Sequence, residues 1–285
     1  MSTTTKIAIR ATKLPSGEAV PVLGQGTWHL AEDPSRRADE IAALRLGLDL
    51  GMTLVDTAEM YADGGSEELV REAIDGRRDE VFLVSKVLPS HATRSGTIRA
   101  CKQSLRRLGT DRLDLYLLHW RGRTPLRETV AGFRDLVGDG LIRYWGVSNF
   151  DVDDMTELFN VPNGSEVATD QVLYNVARRG IEYDLLPWCQ SRSIPIMAYS
   201  PIEQGRLPRN RSVVEIAKRH GATPAQIALA WVLRQDHVIA IPKAGTVEHV
   251  RQNHDALDIQ LSALDLAALD SAFPPPKRRK SLDVI

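Results

Sequence analysis

The sequence predicts an α/β fold, a (β/α)8 TIM barrel with an N-terminal β-hairpin, forming one domain over residues 1–285. Three observations carry this reading. Strand-like apolar runs alternate with amphipathic helical segments along the chain, in units of roughly 20–45 residues, as in βα repeats with a parallel sheet. The runs are apolar on both faces, as parallel strands buried beneath helices must be. The length of 285 residues also suits a barrel, which commonly needs about 250.

The elements follow in order. "KIAIR" and "EAVPVLG" form the hairpin. The barrel strands are "VLGQGTW", "MTLVDTA", "EVFLVSKV", "LDLYLLHW", "IRYWGVSNF", "VATDQVLYN", "IPIMAYSP" and "HVIAIPKAG". Between them lie helical segments such as "ADEIAALRLGLDLG", "SEELVREAI", "TIRACKQSLRRLG" and "PLRETVAGFRDLVGDG". Several stop at a glycine, the residue that takes the left-handed helix cap without strain. An open doubly wound sheet would want a glycine-rich phosphate loop after its first strand. "GQGTWHL" has two of the three glycines of that motif and then runs into Trp28 and His29, so the barrel is preferred.

Composition narrows the function. A net charge of -1 argues against general binding to nucleic acid or membrane surfaces. No apolar run is long enough to span a bilayer, and "MSTTTKIAIR" lacks a signal-peptide core, so a cytoplasmic protein is expected. Cys101 and Cys189 lack metal-site spacing and are expected to be free thiols. No metal cluster is expected. The basic cluster in "PPPKRRK" is expected to be a solvated tail.

"LDLYLLHW" poses the functional question, because a buried run stops on His119. In a parallel barrel, chemistry sits at the C-terminal strand ends, where side chains leave the packed interior. The same position on other strands carries Asp56 followed by Tyr61, Lys86, Ser148 and Asn149, Gln171, Tyr199, and Lys243. Each has an ordinary structural explanation: a strand-end histidine is commonly a satisfied core residue, and an aspartate caps turns. A lysine directly after "VFLVS" is different. It is at least half buried and needs a partner.

Asp56, Tyr61, Lys86 and His119 together make a carbonyl-polarising set. Tyrosine, with an ordinary pKa of about 10, is a poor acid at neutral pH. An adjacent ammonium held by Asp56 is expected to lower that value. Tyr61 then donates a proton to a carbonyl oxygen, and His119 gives that oxygen a second hydrogen bond. No serine or cysteine sits beside a base, so electrons must come from a cofactor.

With these residues in view, the chain resembles the aldo-keto reductases over nearly its full length. The family's Asp, Tyr, Lys and His match Asp56, Tyr61, Lys86 and His119; "GVSNF", "AYSP", "GTW" and "HW" match further family segments. The resemblance implies a barrel that binds extended NADPH without a Rossmann motif. It implies that Ser148, Asn149 and Gln171 hold the carboxamide and that Tyr199 stacks on the nicotinamide. It further implies that Thr27, Asp56, Ser200, Ile202, Lys243, Thr246, His249 and Asn253 contribute to the cofactor site, with Asn253 at the adenine. Trp28, Met60 and Trp120 are implied to line the substrate pocket.

Departures bear on specificity. "IPKAGTVEHVRQN" keeps Lys243 at the adenosine 2′-phosphate position, but the family's following serine and arginine are here Ala244 and His249. NADPH is expected over NADH, with NADH possible. The stretch "FPPPKRRKSLDVI" is short for a segment that closes over substrate in this family, which predicts an open pocket for small carbonyl compounds. A monomer is expected by the resemblance. Two classes of function stand: a reductase, and a regulatory or binding subunit that keeps the nucleotide site without turnover. The intact set of four favours the reductase.

Overall fold

The computed structural model describes residues 9–205 and 210–285. A hairpin of β1 (Ala11–Lys13) and β2 (Ala19–Pro21) precedes the barrel strands β3 (Gln25–Gly26), β4 (Leu54–Asp56), β5 (Phe82–Val87) and β6 (Leu113–Leu118). The remaining strands are β7 (Ile142–Ser148), β8 (Asp170–Leu173), β9 (Ile196–Tyr199) and β10 (Val238–Ala240). β3 to β10 pair in parallel and in sequence order. The seam between β10 and β3 is bridged at Leu23–Ala240 and Gly26–Lys243, with Gly24 N donating to Ala240 O at 2.9 Å.

The two neighbours of β3 explain the glycines of "GQG". A Cβ at Gly24 would meet Leu54 O at 2.8 Å, and one at Gly26 would meet Ile241 O at 2.7 Å. Gly24 permits close approach to β4, and Gly26 permits it where the barrel closes. They are not remnants of a phosphate loop.

The outer layer includes α1 (Arg37–Asp49), α2 (Gly65–Ala73), α3 (Arg94–Leu108), α4 (Leu126–Gly138), α5 (Val152–Phe159) and α6 (Leu185–Gln190). It continues with α7 (Arg211–His220), α8 (Pro224–Leu233), α9 (Val247–Asp255) and α10 (Ala263–Ala272). Local chemistry sets several boundaries. Thr93 caps α3 by accepting from Gly96 N, and Gly109 ends it in the left-handed region at φ 61°. Thr223 and Gln226 form a reciprocal capping box ahead of α8, with Pro224 at its first position.

The hairpin is displaced from its expected position. Its first strand is Ala11–Lys13 rather than "KIAIR"; Arg10 continues the pairing by accepting from Val22 N, and Lys6, Ile7 and Ala8 lie outside the described residues. The hairpin's task is clear from its contacts. Leu14 and Val20 join Leu54, Phe82, Val84, Leu115, Leu117, Met197, Ile239 and Ile241 in the barrel interior. Glu18, at the hairpin turn, accepts from Tyr144 Oη at 2.6 Å and pairs with Arg143. The hairpin therefore plugs the end where the strands begin. A larger apolar layer, including Tyr116, Phe133, Trp145 and Trp231, lies between sheet and helices. No described helix is long and apolar enough to cross a membrane. Cys101 and Cys189 are free and buried.

Candidate active site

Strand pleat positions the site. Successive inward residues are two apart. On β4 the inward sequence is Leu54, Asp56; on β5 it is Phe82, Val84, Lys86. After β6 it runs Leu115, Leu117, His119, and after β10 it runs Ile239, Ile241, Lys243. Each polar residue is the next inward position beyond the apolar interior. Lys86 lies within β5, one residue before its end. His119 is the first residue past β6, tied to it by its N–H donating to Val87 O at 2.9 Å.

Lys86 is fully buried. Its Nζ donates to Asp56 Oδ2 at 2.8 Å, to Thr57 O at 2.9 Å and to Tyr61 Oη at 3.0 Å, which uses all three ammonium donors. Asp56 Oδ1 accepts from Gln171 Nε2 at 2.8 Å. Burial pushes Lys86 toward neutrality, but Asp56 and Tyr61 outweigh it and hold the ammonium above its ordinary value.

Tyr61 corrects one expectation. Lys86 does favour its phenolate, but burial acts more strongly in the opposite direction, and Asp56 adds to it. The phenol is held above its ordinary value of 10.0. At neutral pH Tyr61 keeps its proton. His119 is pushed down to about 2, by burial first and then by Lys86, so its imidazole is neutral. Its Nδ1 is buried with no partner among the described residues. With no acceptor there, the tautomer carrying the proton on Nε2 avoids a buried unpaired N–H. The Tyr61 and His119 rings meet edge to face, with centroids 5.8 Å apart.

These groups face a cavity of about 520 Å³, within the usual range for small-molecule sites. Asp56, Tyr61, His119, Ser148, Asn149 and Gln171 line it; so do Tyr199, Ser200, Ile202 and Lys243, and Trp28, Met60 and Trp120 from the side. Met60 is 40% exposed and Trp120 37%, large apolar surfaces left uncovered at the opening. One polar chain organises the wall. Ser148 Oγ donates to Gln171 O at 2.7 Å, Asn149 Nδ2 donates to His119 O at 3.2 Å, and Tyr199 Oη donates to Asn149 Oδ1 at 2.9 Å. Asn149, Ser200 and His29 sit at φ 60°, 47° and 63°, conformations that side chains adopt only when their surroundings impose them.

Other expected residues lie outside the cavity lining. Thr27 is fully buried, and its hydroxyl donates to Asp56 O at 3.0 Å, bracing the loop after β4. Thr246 caps α9 by accepting from His249 N, and the His249 side chain is exposed on the first turn. Asn253, on α9, is buried, and its Nδ2 has no partner among the described residues.

His29, Pro201, Gln204, Gly205, Val284 and Ile285 line the cavity without having been expected there. His29 had a sequence cue in its place beside Trp28, on which its ring stacks at 4.2 Å. Val284 and Ile285 had none. They correct the expectation of a pocket left open by a short tail, because the tail returns over the site. Arg279, from the basic cluster expected to be solvated, pairs with Asp151, Asp153 and Asp184. Asp283 pairs with Arg178 at 3.4 Å.

Comparison with known proteins agrees with this geometry. Residues 22–273 match the model of the aldo/keto reductase family. Methylglyoxal reductase YeaE from Escherichia coli K12 is 54% identical over 272 residues, covering 94% of this chain and 96% of that protein. Glyoxal reductase from Bacillus subtilis is 31% identical, with 91% of each chain covered. A crystal structure of an aldo/keto reductase from Klebsiella pneumoniae in complex with NADP and acetate superposes with a TM-score of 0.95 at 53% identity, covering 98% of this chain and 100% of that one. By its sequence, its barrel and its extent of similarity, the chain belongs to the aldo/keto reductase family of NADPH-dependent oxidoreductases that act on carbonyl groups.

Proposed function

We propose that this chain reduces small aldehydes and ketones, methylglyoxal-like dicarbonyls among them, to alcohols with NADPH, and that Tyr61 is the proton donor. One observation carries the reading: a fully buried ammonium hydrogen-bonded at once to a carboxylate and to a phenol at the floor of a cavity. Replacing a buried ion pair by apolar residues is often neutral or stabilising, so stability alone does not account for it. A module that only binds nucleotide has no use for a phenol on that ammonium.

The residues present fit a nicotinamide dinucleotide. Asn253 Nδ2 is a buried donor without a partner, and Lys243 has no ion pair among the described residues. Gln171 commits its Nε2 to Asp56, which leaves its carbonyl oxygen for a carboxamide. Tyr199, Ser148 and Asn149 stand beside it. The bound cofactor supplies the hydride.

The chain's own groups do the rest. His119, neutral, donates from Nε2 to the substrate carbonyl oxygen and orients it. Tyr61 passes its phenol proton to that oxygen as negative charge develops there. Lys86 stabilises the phenolate that remains, until solvent returns the proton. Trp28, Met60 and Trp120 give the substrate's carbon chain an apolar wall. A similar role in relatives named for methylglyoxal and glyoxal supports a small substrate.

The test follows NADPH absorbance with a panel of aldehydes and ketones, in wild type and in Tyr61→Phe. Removing the proton donor is expected to lower kcat by about 10²–10⁴-fold while fluorescence titration shows unchanged NADPH affinity, because the phenol proton is used only in the transition state. Normal turnover in Tyr61→Phe would remove that residue from its role. A wild type that binds NADPH and turns nothing over would remove the reductase reading.

A further inference from the structure

We propose that Arg36, on the segment between β3 and α1, is a specificity-determining residue that forms with Lys243 a two-cation cradle for the adenosine 2′-phosphate of NADPH. The proposal rests on the cofactor reading above. It answers a problem left by the sequence, in which the expected arginine at the 2′-phosphate position is His249, an exposed residue on α9.

Arg36 closes a short 3-10 turn, Pro34–Arg36. Asp33 caps the turn by accepting from Ser35 N at 2.9 Å, and Arg36 N donates to Asp33 O at 3.0 Å. From there its side chain reaches across the barrel top to the loop after β10. A Cβ built on Gly245 would lie 2.9 Å from Arg36 Nη2 and 3.7 Å from Lys243 Nζ. Two cationic heads thus rest against the same glycine, and a side chain at position 245 would push the guanidinium aside.

Among the described residues neither cation forms an ion pair. The nearby carboxylates are engaged elsewhere: Glu40 accepts from Ala31 N at 2.9 Å, and Glu32 pairs with His29 at 2.7 Å. Burial and then the charge of Arg36 hold the Lys243 ammonium below its ordinary value, against an opposing pull from Glu40 and Glu32; the shared contact with Gly245 is what places the two like charges together. A phosphate monoester dianion relieves that repulsion and accepts from both. Lys243 lines the cavity, so the cradle opens onto the ligand site. Guanidinium suits the task, since its planar fork can meet two phosphate oxygens at once. The pyrophosphate, common to NADPH and NADH, is the competing partner for Arg36.

The test compares wild type, Arg36→Gln, Lys243→Met and Gly245→Val. Fluorescence titration gives NADPH and NADH affinities, and calorimetry gives those of 2′,5′-ADP and 5′-ADP. Arg36→Gln is expected to weaken NADPH and 2′,5′-ADP about tenfold or more, with NADH and 5′-ADP unchanged. Gly245→Val keeps the charge but displaces it, and is expected to show the same selective loss. Equal losses for NADPH and NADH in Arg36→Gln would assign the residue to the pyrophosphate and overturn the proposal, as would no loss at all. A wild type that binds both cofactors alike would overturn the NADPH reading itself. A wild type that prefers NADPH and keeps that preference in Arg36→Gln would overturn only this inference.

Discussion

At one end of the barrel, Leu54, Phe82, Leu115 and Ile239 meet the hairpin residues Leu14 and Val20. A few residues further along the same strands and on the same face stand Asp56, Lys86, His119 and Lys243. The pleat is continuous, so backbone geometry does not separate the two ends. Their means of satisfaction do. The interior at the lower end is mostly apolar and held by packing, with Tyr144 donating to Glu18 of the hairpin at its edge. The upper end holds charges that are satisfied mostly by one another, and among the described residues it leaves atoms without protein partners: Nδ1 of His119, Nδ2 of Asn253. Apolar packing dominates below, and polar groups with capacity to spare line the cavity above. That polarity along the axis is what a catalytic barrel requires.

Breaking the upper end is expected to have the larger effect on stability. Lys86→Met leaves Asp56 as a buried carboxylate held only by Gln171, at a cost of about 3–5 kcal/mol. It also removes the charge that stabilises the Tyr61 phenolate, so turnover should collapse with it. Combining it with Asp56→Leu removes the stranded charge, and the double variant should recover much of the stability and none of the activity. Urea unfolding of the wild type and both variants measures this. If Lys86→Met unfolds like wild type, the ammonium is not bound to Asp56 in a dry interior.

The lower end supplies the control. Leu115→Ala creates a cavity among Leu54, Val84 and Leu117, and is expected to cost about 2–5 kcal/mol. Because it touches nothing polar, NADPH affinity and kcat/KM should match wild type at temperatures where the variant stays folded. A loss of cofactor affinity in parallel with stability would show that the two ends are mechanically coupled, and the division drawn above would fail.

The same pleat explains what was legible in the sequence. Barrel class, strand order and the candidate residues Asp56, Lys86 and His119 are encoded locally: an apolar run sets the strand, and the next inward residue is the candidate, with Tyr61 opening the 3-10 turn that follows β4. Features that depend on distant chain segments meeting were not legible. The role of Gly24 appears only when β3 packs against Leu54 of β4, and that of Gly26 only when the segment after β10 closes against β3. The return of Val284 and Ile285 depends on Arg279 finding three aspartates far along the chain. Arg36 reaches Lys243 only because the barrel brings the first loop beside the last. The direction of the Tyr61 shift was missed for a different reason. An adjacent lysine is visible in sequence, but the depth of burial that outweighs it is not.

The smallest expected effect, at neutral pH, belongs to His119, and it can be drawn out by acid. The residue is 8% exposed, and its pKa is depressed from 6.5 to about 2, so the folded protein keeps it neutral throughout the weakly acidic range. The unfolded chain does not. As pH falls through 6.5 the unfolded state takes up a proton that the folded state refuses, and each further pH unit favours unfolding by about 1.4 kcal/mol from this group alone. Stability tied to His119 is therefore fully present above the unfolded value and drains away below it. His119→Gln has no titrating group and keeps an N–H donor for the carbonyl. Near neutrality the two proteins should differ modestly in stability, with the variant slower in turnover through poorer substrate positioning. Between about pH 6 and pH 4.5 the wild type should lose ground to the variant, whose other titrating groups are the same and cancel in the difference. Urea unfolding of both proteins across that range gives the slope directly. Parallel curves would mean that His119 accepts its proton as readily folded as unfolded, and a neutral imidazole could not then be the group that orients the carbonyl at the floor of this site.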